Sequence, residues 1–273
     1  EKLIRAEKEG NLPKVVIPVH FAGQSCDMKE IKVLSDKYGF HVIEDACHAI
    51  GGKYEGNPIG CCEYSNLCGF SFHPVKIITT GEGGVVTTRN PDLAKNLKLF
   101  RSHGVTRDPL LLEGKIHGGW YYEQLELGYN YRITDIQCAL GISQLKRLDF
   151  YVKARQERAL CYTESLKKLP IRSQLVKKDN LSAYHLFVIE IDEKKTNKTR
   201  KELYDYLRDN KIGVNVHYIP VHTQPHYKKL GFKPGAFPNA EKYYSRALSL
   251  PLFSSLESSE QSLVIDKLKS FSW

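Results

Sequence analysis

Residues 67–88 constrain this chain most, because they set a single lysine between two strand-forming runs. Leu67-Cys68-Gly69-Phe70-Ser71-Phe72 reads as one strand and Val85-Val86-Thr87-Thr88 as the next. Between them His73-Pro74-Val75 turns the chain, Lys76 follows, and Gly81, Gly83 and Gly84 permit close backbone approach. A lone amine on a short loop between two buried strands suits Schiff-base chemistry, since burial lowers an ammonium's pKa and the neutral amine attacks a carbonyl. A lysine on an arbitrary loop is usually solvated, and what separates Lys76 from that case is an acid upstream. The apolar Val42-Ile43 runs into Glu44 and Asp45, as expected where a parallel strand opens onto the site face of an α/β sheet. Asp45 precedes Lys76 by 31 positions. An imine-forming lysine, with an aspartate that keeps a pyridinium nitrogen protonated, is the minimal protein equipment for pyridoxal 5′-phosphate (PLP).

The remaining pattern supplies an α/β frame. A strand is expected over 15–19, then a helix capped at Asp27 and ending near Gly39, then a strand over 41–44, which makes a β-α-β unit. Residues 53–59 suggest a small hairpin turning at Gly56-Asn57-Pro58. Asn90-Pro91-Asp92 opens a helix to about Arg101, and 104–124 reads as a long Gly-rich, aromatic loop. Thr134-Asp135 caps a helix through Leu148 whose apolar spacing continues to about Leu169, with Pro170 as punctuation. Beyond it, strands over 182–191 and 213–219 and helices over 196–209, 238–248 and 257–271 form a smaller α/β domain. The expected division is 1–150 for the large domain and 151–273 for the small one, and 273 residues suffice for both cores.

Charge and cysteines narrow the function classes. The net charge of +9 favours anionic partners, a nucleotide diphosphate among them. Lysine and arginine are scattered, without a long basic run or a nucleic-acid motif, which argues against DNA or RNA. Seven cysteines, odd in number and without a CxxC, suit a reduced cytoplasmic protein rather than a disulfide scaffold or a metal site. Neither a signal peptide nor a bilayer-length apolar stretch is present.

Five words carry a resemblance: EDACHA at 44–49, SFHPVK-x4-GEGG at 71–84, FRSHG at 100–104, GYNYRITDIQCALGISQL at 128–145 and VHYIPVH at 216–222. In order and spacing, from about Val15 to the C-terminus, they resemble the DegT/StrS family of PLP-dependent nucleotide-sugar aminotransferases. The resemblance is nearest to members that aminate C4 of a UDP-linked 4-keto-6-deoxy sugar. It implies a fold-type I, aspartate aminotransferase-like architecture: a mostly parallel sheet with helices on both faces and a smaller C-terminal α/β domain. Relatives also have a segment upstream of the first strand, with a phosphate turn and an aromatic ring stacked on the cofactor. This chain begins too late to contain them, so the first elements are expected to be absent.

The same resemblance implies roles, each with a plainer rival. Asp45 pairs with the pyridine nitrogen, or is a strand-end helix cap. His48 lies by the cofactor ring, or is a satisfied core histidine. Ser71 holds the cofactor phosphate, or merely ends a strand. Lys76 forms the internal aldimine and shuttles a proton to the substrate carbon; related sugar dehydratases carry histidine there, so lysine argues for amino transfer. Asn130 reaches the phosphate in a neighbouring subunit, which makes the active site shared across a homodimer, or it is a turn residue at a helix entry. Arg132 touches substrate diphosphate or amino-donor carboxylate, or sits in a structural ion pair. His217 and Tyr218 contact the sugar nucleotide, or are ordinary strand-end residues. The implied reaction passes an amino group from glutamate through the cofactor to a 4-keto nucleotide sugar, in two stages. Rival expectations are amination at C3 and a catalytically silent, truncated relative acting as an interaction module.

Overall fold

A computed structural model describes all 273 residues. The chain divides into two compact units, the first made of residues 1–20, 25–50 and 57–146, the second of 21–24, 51–56 and 147–273. No helix is long and apolar enough to cross a membrane.

The first unit is built on a four-stranded sheet in the order Val15–Val16, His41–Asp45, Leu67–Ser71, Gly84–Thr87. The first three strands are parallel and the last is antiparallel to its neighbour. Asp45 pairs with Gly69, and Ser71 with Gly84. The opening strand is shorter than its apolar run. Pro18 has no N–H for a ladder, yet its carbonyl still accepts from Asp45 N (2.9 Å), and Val19 makes an isolated bridge to Asp45. Helix Met28–Tyr38 starts after Asp27 and stops at Gly39, whose φ of 74° is the left-handed conformation a side chain would resist. Asn90 caps helix Pro91–Arg101 through its Oδ1, which accepts from Asp92 N and Leu93 N.

Two expectations for this unit need correction. Strand Gly84–Thr87 is not buried: it lies at the end of the sheet order, and Val85 and Val86 are exposed. Residues 104–124 are not a free loop. Val105–Thr106 pairs with Glu123–Gln124, and the Glu123 carboxylate accepts from Glu113 N, Gly114 N and Tyr121 Oη. Those donors hold Glu123 below the usual carboxylate range, the tyrosine hydroxyl contributing most.

The long helical stretch expected from Thr134 onward is two helices, Asp135–Leu145 and Leu148–Leu166. Arg147, at φ −108° and ψ 3°, interrupts them, and the two units part at the same place.

In the second unit an antiparallel sheet runs in the order Ala247–Leu250, Phe187–Ile191, Ile171–Ser173. Tyr162, Phe187, Leu203, Leu207, Leu248 and Leu268 pack its core from the sheet and from helices Leu148–Leu166, Arg200–Asp209 and Ser258–Ser270. The strand expected over 182–191 begins only at Phe187. Before it the chain turns at Tyr184 (φ 46°), where the buried Arg155 guanidinium donates to the carbonyls of Tyr184, His185 and Leu252. Burial without a carboxylate partner lowers the Arg155 pKa to about 10. Residues 213–219 form no extended strand, only the bridge Asn215↔Ser249. The fully buried strand Ala247–Leu250 replaces the end of a helix, which stops at Arg246.

Candidate active site

Two adjacent acids end the central strand, and strand alternation sends them to opposite faces. Glu44 is buried (5% exposed), and its carboxylate is already committed. Its Oε2 lies 2.6 Å from His20 Nε2, and Ser65 Oγ donates to its Oε1. His20 Nδ1 accepts from Cys26 N (3.1 Å), so Nε2 carries the proton given to Glu44. Glu44 thus belongs to a closed structural network, and Asp45 is the acid left for chemistry.

Asp45 is half-buried and accepts from Cys47 N at Oδ1 (3.1 Å). The Cys47 thiol reports what surrounds it. Burial first, then hydrogen bonding and charge from Asp45, push its pKa to about 11, while the Lys76 ammonium pulls it down. One thiol therefore feels both candidate catalytic groups, which places Asp45, Cys47 and Lys76 in one neighbourhood.

Lys76 sits half-buried on a loop that closes on itself. Its N–H donates to His73 O (2.9 Å), and Ile77 and Ile78 anchor the segment in the interior. Phe72 N donates to Gly83 O (2.8 Å), Thr80 N to Phe72 O (3.0 Å) and Thr79 Oγ1 to Phe72 O (2.9 Å). Gly84 has to be glycine: a Cβ there would lie 2.6 Å from Phe70 O. Ser71, at the end of its strand, accepts from His73 N (3.3 Å).

The sequence matches the model of the DegT/DnrJ/EryC1/StrS aminotransferase family over residues 1–269. The chain belongs to that family. It is 38% identical over 271 residues to the UDP-4-amino-4,6-dideoxy-N-acetyl-beta-L-altrosamine transaminase of Campylobacter jejuni, covering 98% of this chain and 69% of that protein. Helicobacter pylori PseC, an aminotransferase involved in the biosynthesis of pseudoaminic acid, superposes with a TM-score of 0.85 at 30% identity, over 96% of this chain and 68% of PseC. The PLP-form of the putative sugar aminotransferase Spr1654 from Streptococcus pneumoniae gives 0.81 at 26% identity, over 94% and 68%. These matches show the fold-type I architecture expected from the sequence. The chain spans about two thirds of the length of the curated relatives it matches.

Against that family pattern, the first unit brings together Asp45, Cys47 and Lys76, with Ser71 on the strand beside Asp45. His48 lies buried in the turn that leaves Asp45. Asn130 bridges Ser102, and it and Arg132 are exposed ahead of helix Asp135–Leu145; the Tyr129 and Tyr131 rings on either side of Asn130 in sequence stack at 4.7 Å. His217 and Tyr218 belong to the second unit, where His217 Nδ1 meets Ser249 Oγ at 2.7 Å and the Tyr218 ring is edge-on to Phe21. The donor set of the first unit fits PLP: a carboxylate for a pyridinium, a primary amine for an aldehyde, and a hydroxyl for a phosphate. Sequence reasoning passed over His20, Ser65, Cys47 and Gln137. Only Gln137 had a local signal, a Thr-x-x-Gln capping box.

Proposed function

We propose that this chain carries the catalytic machinery of a PLP-dependent nucleotide-sugar aminotransferase. The amino group comes from glutamate and goes to the 4-keto carbon of a 4-keto-6-deoxy-hexose, UDP-linked. Such a product is an amino sugar of the kind built into surface glycans or glycosylated proteins. The observation that supports this best is that the strand ending in Asp45 pairs with the strand that ends in Ser71 and leads into the closed Lys76 loop, in a chain of this family.

When bound, PLP supplies the electron sink that lets an amino group pass between carbon skeletons. Asp45 keeps the pyridine nitrogen protonated, and Glu44 does not compete because its carboxylate is held by His20 and Ser65. Lys76 holds the aldehyde end and moves a proton at the substrate carbon. The Ser71 hydroxyl binds the phosphate, with His48 beside the ring. In this reading residues 1–150 form the PLP-binding domain, and 151–273 form a smaller domain whose His217 and Tyr218 meet the sugar nucleotide. Asn130 serves a partner's cofactor across a homodimer, and Arg132 meets the substrate diphosphate or the donor carboxylate. None of the seven cysteines is in a disulfide, which suits a reducing cytoplasm.

The test is direct. The chain is incubated with PLP, reduced with borohydride and mapped by mass spectrometry. The expected result is one pyridoxyl group, on Lys76, which disappears in Lys76→Ala. A label elsewhere, or one that survives that substitution, overturns the assignment. With glutamate as donor, 2-oxoglutarate release with a 4-keto sugar nucleotide but not its 3-keto isomer confirms C4; the reverse result assigns C3.

A further inference from the structure

Three helices in this chain open with a reciprocal capping box, from Thr134, Thr199 and Glu257, and one of them departs from the others at the third position. Helix Arg200–Asp209 uses Glu202 at the third position and helix Ser258–Ser270 uses Glu260. Helix Asp135–Leu145 uses Gln137. The box itself needs only an acceptor there, and either Glu or Gln provides one. Gln137 Oε1 does that work, accepting from Thr134 N (3.0 Å) and Thr134 Oγ1 (3.1 Å).

What glutamine adds is a donor. Gln137 Nε2 donates to Glu82 O at 3.0 Å, 55 residues back in the chain. That carbonyl also accepts from Thr80 Oγ1 (2.7 Å), and the next residue, Gly83, closes the lysine loop by accepting from Phe72 N. The surroundings leave little slack. A Cβ on Gly83, at φ 151°, would lie 3.0 Å from Ile133 Cδ1, and one on Gly141 would lie 2.9 Å from Thr80 Cγ2. One side chain therefore ties the start of this helix, and residues 129–132 just before it, to the end of the loop that holds Lys76.

We propose that Gln137 is a positioning residue, whose amide fixes the 81–84 turn and so the Lys76 loop against the Asn130–Arg132 segment. The importance given to Lys76 rests on the function proposed above. Glutamine stands at this box because the cap alone would not hold the loop.

Hydrogen exchange on the unloaded chain, thermal melting and PLP affinity separate the two roles. Gln137→Glu keeps the cap acceptor but sets a carboxylate against the Glu82 carbonyl. Amides of residues 79–84 are expected to exchange about tenfold faster, and PLP to bind about tenfold more weakly, with Tm within about 2 °C of the parent. Thr134→Ala weakens the cap and spares the amide link; Tm should fall by about 2–4 °C with exchange at 79–84 and PLP affinity unchanged. If Gln137→Glu does not fold, Gln137→Met removes the donor without adding charge; because it also removes the cap acceptor, its exchange at 79–84 and its PLP affinity are compared with those of Thr134→Ala, which loses the cap alone. Parent-like exchange at 79–84 in the Gln137 variant overturns the proposal. Failure of the parent chain to take up PLP would sink the proposed function instead, and would leave the exchange comparison standing.

Discussion

The two compact units are nearly equal in length and opposite in character. The first holds Asp45, Ser71 and Lys76 and balances 16 basic against 16 acidic side chains; the second holds 24 against 15, and with them the whole net charge of +9. Packing divides the same way. The second unit buries one continuous core around Phe187, Leu203, Leu248 and Leu268. The first has a small cluster around Ala46, Ala49 and Cys68, and leaves Leu110, Trp120, Leu127, Tyr131 and Ile136 largely exposed. The contrast teaches that the chemical groups here are not held by the largest core. They are held by hydrogen bonds at strand ends and in one closed loop, while the second unit has the larger core and the excess of positive charge.

That contrast can be broken or sharpened by substitution. The largest effect is expected at Lys76. Lys76→Ala should lower amino transfer at least about a thousandfold, with little change in Tm, because the amine is half-exposed and supports no core. Activity within tenfold of the parent would remove the first unit's chemical role. Next comes Phe187→Ala in the second unit, which should cost about 3–5 kcal/mol in denaturant melts, whereas Ile136→Ser in the first should stay within about 0.5 kcal/mol. Similar costs at both sites would erase the packing contrast.

Cys47 gives a third measure. Its pKa, raised from 9.0 to about 11, keeps the thiol protonated at pH 8, so iodoacetamide should label it about a hundredfold more slowly than an ordinary thiol. Labelling should still be rising near pH 10, where an ordinary thiol has levelled. Lys76→Ala removes the one nearby cation and should slow it further; faster labelling would separate Lys76 from Cys47. A smaller loss of stability than at Phe187 is expected at Glu44. Glu44→Ala strands the buried His20 donor and the Ser65 hydroxyl and should cost about 1–3 kcal/mol, with Glu44→Gln costing less.

Much of this was legible along the chain. Strands around 41–45 and 67–71, the caps at Asn90 and Thr134, and the helix stop at Gly39 all arise from local chemistry, and local chemistry is written in order. Other features were not. The apolar spacing after Leu145 continues into the next helix, so only the backbone at Arg147 reveals the break. Ala247–Leu250 reads as a helix tail because its apolar run follows a helical pattern, and its strand identity comes from pairing with Phe187–Ile191. The turn before Phe187 depends on Arg155, which lies about 30 residues earlier in sequence.

For the candidate site, the residues alone determined that an acid ends one strand, that an amine follows another, and that a Gly-rich turn follows the amine. Tertiary structure decided which of two adjacent acids is available. Glu44 and Asp45 are chemically alike and one bond-step apart, so their difference lies in what each face meets: His20 and Ser65 on one, Cys47 and Lys76 on the other. Local sequence specifies a side chain's type and its alternation along a strand. Only the folded chain brings distant residues to one face and leaves the other open.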